Sequence, residues 1–417
     1  MESKPLELRV AARADRAEQV GLARLAKAAF DGKDLRPKWR ELIGKLLDGT
    51  ASAGEGLDLG LIAQLLGDKP AGLAIQHDVL RSHQLFGTRC HVPEPRLKLL
   101  ALAAETDLGS NTPIEFLLEE SAVELTTLYL LPGAELLDPL PDHDLAIVIA
   151  SDSEDCRAAL RTIEAVATRW PRPLLNPPKL IGNLDRDKLH RLLQDIDGLA
   201  IPATFAVGRE RLLQASPSAD AFDGIAPGLA FPVIIRPRGS HAGVGLAKVD
   251  DRQAMVRYLA ERPEAEFFVS RFVDYSGEDG QFRKYRVAFI EGRPYAGHMA
   301  IADRWDIWYL NAHMSASASK RLEEETFMRT FDIGFGRRHR SALDALAQRI
   351  GLEYFTIDCA ETRDGALLIF EADNTAVVHN MDPPDVFPYK GPQMRRIFDA
   401  FVAMLARRVR ERGEEAA

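Results

Sequence analysis

Residues 355–361 (Phe-Thr-Ile-Asp-Cys-Ala-Glu) and 366–373 (Ala-Leu-Leu-Ile-Phe-Glu-Ala-Asp) flank a Thr-Arg-Asp-Gly stretch that ends at Gly365. Two β-prone runs joined through Asp-Gly are a strong local hairpin signal. This part of the chain is therefore committed to paired antiparallel strands. With Asp364 and Gly365 as the turn, Arg363 faces Ala366, and counting outward sets Asp358 opposite Glu371. Side chains alternate along a strand, so Asp373 shares the face of Glu371. The other face carries Phe355, Ile357, Cys359, Leu368, Phe370 and Ala372, a set suited to a core. Opposed like charges destabilise a ladder. A hard divalent cation bound through carboxylate oxygens would offset them, which makes Asp358, Glu371 and Asp373 candidate metal ligands. The competing reading is a solvated acidic face, and Ala360 and Ile369 on that same face argue against it.

The second signal is basic and glycine-rich. Residues 231–237 form an apolar run containing Arg236, and residues 238–245 (Arg-Gly-Ser-His-Ala-Gly-Val-Gly) follow. Gly239, Gly243 and Gly245 permit positive φ and close approach of backbone amides to an anion. Ser240 and His241 can add hydrogen bonds, and Arg236 can offer a two-pronged fork to a phosphate. The loop lacks the Gly-Lys-Ser/Thr of a Walker A loop and the dinucleotide pattern GxGxxG. Protein-kinase landmarks are absent as well.

Elsewhere the rhythm changes along the chain. Between about Arg13 and Leu102 apolar residues recur at helical spacing, as in Leu22, Leu25 and Ala29, or Trp39, Leu42, Ile43 and Leu46. Residues 49–56, small and glycine-containing, read as a flexible connection. Short apolar runs at 124–131, 144–150 and 172–176, with a helical stretch at 154–169, argue for a parallel α/β layer. Residues 209–231 read as linking. Strands are predicted at 231–237, 244–249, 266–273, 284–290, 355–361 and 366–373, with helices at 251–261, 340–351 and from 393 to about 412.

The 417 residues are too many for one compact core. A net charge of −9 gives no global positive field for a polyanion, so nucleic acid is not an expected partner. Cys90, Cys156 and Cys359 are widely spaced and form no zinc or redox motif. The first residues lack the apolar core of a signal peptide, and no run is long enough to span a membrane. The expectation is a cytoplasmic protein with no membrane partner.

Taken in order, these parts resemble the ATP-grasp superfamily, which includes glutathione synthetases, D-alanine:D-alanine ligases and ribosomal-protein glutamate ligases. The resemblance covers about residues 144–405: Asp187-Lys188 opening a helix, the Arg236 strand, the glycine-rich loop, a hinge strand at 267–273, and paired acidic strands. It implies an α+β and α/β fold of ATP-grasp type, with two lobes around ATP. The expected regions are helical (1–120), a small parallel α/β pre-ATP-grasp domain (121–200), a lid lobe (201–273) and a C-terminal lobe with the metal site (274–412). It implies that Lys188 and Arg236 contact phosphate and that backbone near Phe268, Val269 and Arg271 receives adenine. It further implies that Arg286 meets phosphate or intermediate, and that Arg304 and Asn311 face substrate. Asp358, Glu371 and Asp373 would hold Mg²⁺ or Mn²⁺. Arg236, Arg271, Lys284 and Asp373 stand where the family more often has Lys, an acid, Asp and Asn. The implied activity is an ATP-dependent ligase joining a small-molecule or peptide carboxylate to an amine or thiol. A nucleotide-binding regulator without turnover and a phosphotransferase are the alternatives. The N-terminal helices could serve a homo-oligomer or a partner protein.

Overall fold

The computed structural model describes residues 15–214, 222, 225–226, 228–240 and 243–415. The chain divides into two compact units, Met1–Pro178 with Thr375–Met381 and the chain from Phe398, and Lys179–Asn374 with Asp382–Ile397. Helices and several sheets make a mixed α+β chain.

In the first unit one sheet runs β1-β2-β4-β3-β5-β6. Its strands are β1 (Ala17–Gln19), β2 (Leu85–Thr88), β3 (Leu97–Ala104), β4 (Val123–Leu130), β5 (Leu145–Val148) and β6 (Leu174–Leu175). β3 is parallel to β4 and β5, and β5 to β6, so the runs read as a parallel α/β layer are joined through a strand, β3, outside that reading. The sequence reading extends helical spacing to Leu102, and β3 corrects it. An unbroken apolar run fits a helix or a doubly covered strand equally well, and here residues 99–104 are at most 1% exposed at the centre of the sheet.

Helices α1 (Leu22–Phe30), α2 (Arg36–Leu47), α3 (Ala53–Leu65) and α4 (Lys69–Leu80) fill most of the preceding chain, between the strands β1 and β2 that the helical reading did not include. Leu25, Leu42, Leu59 and Ile62 are their shared core. The expected flexible connection at 49–56 is replaced in its second half by helix. Ser52 and Glu55 form a capping box that starts α3. Gly54 is there for space, since a Cβ would lie 1.8 Å from the Glu18 carbonyl oxygen. Helix α5 (Ile114–Leu117) follows β3, and α6 (Arg157–Ala167) crosses from β5 to β6.

The second unit opens with α7 (Pro178–Ile181), whose first residue belongs to the first unit, and α8 (Arg186–Leu193), and holds two sheets. The smaller runs β10-β9-β11-β8, all antiparallel. It comprises β8 (Thr204–Gly208), β9 (Val233–Pro237), β10 (Ala247–Val249) and β11 (Glu266–Arg271), with α9 (Arg209–Leu213) and α10 (Arg252–Ala260). Val233, Ile235, Phe267, Val269, Met255 and Leu259 are buried together beneath it.

The larger sheet runs β13-β12-β14-β15-β7. It comprises β7 (Leu199–Ala200), β12 (Phe282–Ile290), β13 (Arg293–Ala302), β14 (Tyr354–Glu361) and β15 (Leu367–Asp373). Glu291 and Gly292, both at positive φ, make the two-residue turn between β12 and β13. Phe289 and Phe355 stack at 4.6 Å. Helices α11 (Ala318–Arg329), α12 (Phe335–Arg338) and α13 (Arg340–Ile350) precede β14, and α14 (Lys390–Glu415) begins in this unit and continues in the first. A boundary at residue 120 would fall between the sheet neighbours β3 and β4, whereas one at 273 falls between the two sheets of the second unit.

Candidate functional site

The β14–β15 hairpin pairs Asp358 with Glu371 and Thr356 with Asp373, as the sequence predicts, but by a different route. Thr362 accepts from Gly365 N–H and donates to Ala366, so the connection is a three-residue loop with Gly365 at φ 85°. That loop alone would put every pair one residue out of step. A bulge restores the register, because Cys359 faces Ile369 while Asp358 faces Glu371, leaving Phe370 as the extra residue. Ala360 therefore faces Leu368 instead of Ile369, and the hairpin's far end packs with Tyr275 while its near end is acidic.

The bulge has a chemical use. The Phe370 carbonyl accepts Arg186 Nη1 at 3.0 Å, and Nη2 of the same guanidinium donates to the Glu371 carboxylate. Arg186 opens α8 behind the N-cap Asp185. Asp358, 2% exposed, receives Arg286 Nε at 2.8 Å and Nη2 at 3.0 Å, and Lys284 Nζ at 2.7 Å. Burial opposes ionisation of Asp358, but Arg286 and then Lys284 outweigh it and hold the carboxyl well below the usual range. Burial also works against Glu371, and Arg186 foremost brings it down to about 2. Asp373 lies within electrostatic reach of Arg286.

Arg236, at 8% exposure, sits on β9 opposite Phe268. It donates to the Ser240 hydroxyl at 3.1 Å and to the Ser240 carbonyl. Those partners are neutral. Burial, then the like charge of Arg186, pushes its guanidinium down to about 9, with Glu371 acting in the opposite sense. Arg186, Arg236, Lys284 and Arg286 thus converge with Asp358, Glu371 and Asp373, four cations against three carboxylates. His298, across the ladder from Arg286, is kept neutral by burial and then by Arg286 and Lys390, and its Nδ1 is buried without a partner.

The other residues singled out from sequence are placed as follows. Gly239 and Gly243 are at φ 75° and 74°, and Gly245 at 69° with Pro237 against it. His241 lies outside the described residues. Phe268 and Val269 are buried in β11, with the Arg238 guanidinium 5.7 Å from the Phe268 ring, and Arg271 is exposed. Lys188 is exposed and donates to the Gly182 carbonyl at 2.8 Å, so it is Arg186, two residues earlier, that joins the cluster. Arg304 pairs with Asp306, and Asn311 bonds the backbone of Trp308 and Asp306. Those bonds shape their own loop. Sequence reasoning missed Arg186, whose partner lies 185 residues away and leaves no local spacing to read.

Asp358 accepts from Arg286 through both oxygens and from Lys284 through Oδ2, and Glu371 accepts from Arg186 through Oε2, so these two acids are paired with the chain's own cations. Among the described residues no three His, Cys, Asp or Glu side chains are grouped to hold a metal. Among them, too, no helix is long and apolar enough to cross a membrane.

No protein-family model and no curated protein matches the chain. Solved structures similar to it include an ATP-grasp protein and two kinds of ligase. A RimK domain protein ATP-grasp from Sphaerobacter thermophilus is 18% identical, over 75% of this chain and 99% of that one, with a TM-score of 0.44. The VanG D-Ala:D-Ser ligase from Enterococcus faecalis is 12% identical over 74% and 99%, with a TM-score of 0.46. The D-alanine–D-alanine ligase from Bacillus anthracis complexed with ATP is 13% identical over 76% and 99%, also at 0.46.

Proposed function

We propose that the second unit binds ATP through the cluster on β9, β12, β14, β15 and α8, and that the chain uses it to activate a carboxylate for ligation to an amine or thiol. The observation that carries this reading is Arg236, a buried guanidinium whose hydrogen-bond partners among the described residues are neutral. Removing a cation from water without an anion is costly. A phosphate oxygen is the partner such a fork is shaped for. The glycines at positive φ beside it and the apolar hinge strand β11 support the same reading.

In the reaction a substrate carboxylate oxygen attacks the γ-phosphorus, and the bond to the β–γ bridging oxygen breaks with its electron pair left on ADP. Arg236 and Arg186 neutralise charge on the moving phosphoryl group. The amine or thiol then adds to the acyl phosphate carbon, the carbon–oxygen bond to phosphate breaks with its electron pair on the departing phosphate, and that phosphate takes up the nucleophile's proton. Asp358, fixed by Lys284 and Arg286, orients those two cations and remains ionised throughout. No side-chain nucleophile is needed, and no step is assigned to a metal.

A second reading, nucleotide binding without turnover, is favoured by the same lock on Asp358. Product analysis with ATP, a panel of carboxylic acids and hydroxylamine separates the two. The ligase gives hydroxamate and ADP in equal amounts, and AMP with pyrophosphate would refute the proposed activation. Saturable ATP binding with no ADP under any acid supports the binding protein. A stable phosphorylated product would instead identify a phosphotransferase. Arg236→Ala should weaken ATP binding more than Arg236→Lys, by roughly tenfold against a few-fold, since lysine keeps charge without the fork. Equal affinities would remove Arg236 from the site.

A further inference from the structure

The first unit contains a partly open cavity over the face of β4 and beneath α3 and α4. Its polar wall includes Gln19, Gln76, Thr106, Glu115, Thr127 and Tyr129. Most hydrogen-bonding groups in a folded interior find partners. Two here do not. Gln19 is 9% exposed and Thr106 is 7% exposed, yet Gln19 Oε1 and Thr106 Oγ1 are buried without a hydrogen bond.

Charge is out of balance in the same place. Glu115 Oε1 accepts from Leu22 N–H at 3.1 Å and Oε2 from Ala23 N–H at 2.8 Å, at the start of α1. Asp58 from α3 accepts from Val20 and Gly21 N–H at 2.8 and 3.1 Å. Backbone amides are the hydrogen-bond partners of both carboxylates, and each carboxylate oxygen can take a further donor. Burial, only partly relieved by those amides, pushes Glu115 up to about 7. The geometry is held firmly, since a Cβ at Gly21 would come within 2.6 Å of the Glu115 carboxylate. Tyr129, also pushed up by burial and then by Glu115 and Asp58, stays protonated.

Above about pH 7, where Glu115 gives up its proton, a wall that offers spare acceptors and a negative charge selects an occupant with donors and a positive charge. We propose that this cavity binds a small molecule bearing a protonated amine, its ammonium received by Glu115 and its remaining donors by Gln19 Oε1 and Thr106 Oγ1. Gln76 completes the wall without competing for the ligand, because its Nε2 donates to the Thr106 carbonyl at 3.1 Å and its Oε1 accepts from Gln64. The site belongs to the first unit alone and does not depend on the nucleotide reading.

Calorimetry on the full chain with ethanolamine and methylammonium chlorides tests this, with ethylene glycol as the uncharged counterpart and sodium chloride matching ionic strength. Saturable binding of the amines, absent for ethylene glycol, is expected. Glu115→Gln should weaken it at least tenfold and Thr106→Val a few-fold, while thermal melts report that each variant still folds. If Glu115→Gln loses its fold, Thr106→Val and Gln19→Leu carry the test, each lowering affinity for ethanolamine. No saturable binding of either amine, equal response to ethylene glycol, or unchanged affinity in the folded variants would overturn the proposal.

Discussion

Each unit holds a buried aspartate beside a half-buried glutamate, and the two pairs are handled in opposite ways. Asp58 and Glu115 in the first unit are held by backbone amides, and Glu115 is pushed up to about 7. Asp358 and Glu371 in the second are held by guanidinium and ammonium groups, and both are pushed down. Amides supply hydrogen bonds but bring only partial charge. A full countercharge is needed to make ionisation easier than in water once solvent is gone. The first pair therefore leaves a demand for a cation, and the second has met it already.

The largest expected effect comes from undoing that countercharge. Arg286→Met should cost about 3–5 kcal/mol in urea unfolding, because it strands a carboxylate that is 2% exposed with Lys284 alone. A loss under about 1 kcal/mol would mean that Arg286 is not what keeps Asp358 ionised. The pH dependence of the first pair comes next. Folded Glu115 binds its proton up to about pH 7, whereas an unfolded glutamate releases it near 4.5. The folded state thus holds more protons between those values, and stability falls as pH rises through them, by on the order of 1–3 kcal/mol. Glu115→Gln should flatten that slope, and a slope unchanged in the variant would assign it elsewhere. The smallest effect isolates capping without charge. Ser52→Ala removes an acceptor from the Glu55 amide and should cost about 0.5–2 kcal/mol across the neutral range, where Glu55 stays ionised. A pH-dependent cost there would show that uncharged caps and buried acids cannot be separated so simply.

The sequence made one half of this comparison legible. Asp358 opposite Glu371 follows from the Asp-Gly hairpin, although the turn is one residue longer and a bulge at Phe370 corrects the count. Two errors cancelled because a strand period of two allows only even or compensated shifts once a face is buried. Strand β13 carried a usable signal in Glu291-Gly292, a two-residue turn with both φ angles positive. The long apolar β3 did not, because its run fits either secondary structure. Nothing in the sequence marks Glu115 as the cap of α1, since it acts across 93 residues. The cations of the site divide in the same manner. Arg236, Lys284 and Arg286 lie on strands whose order could be read, while Arg186 enters from a helix whose expected phosphate ligand was Lys188.

Arg186 also sets how freely this corner of the protein can vary over generations. One guanidinium serves a backbone carbonyl displaced by the bulge and the carboxylate of the next residue. A lysine brings a single ammonium at the end of a flexible stem in place of that planar fork. The bulge, the acid and the arginine are therefore inherited as a set. A lineage that loses any one of them must either rebuild the path of β15 or abandon its charge, so descendants should keep all three or none.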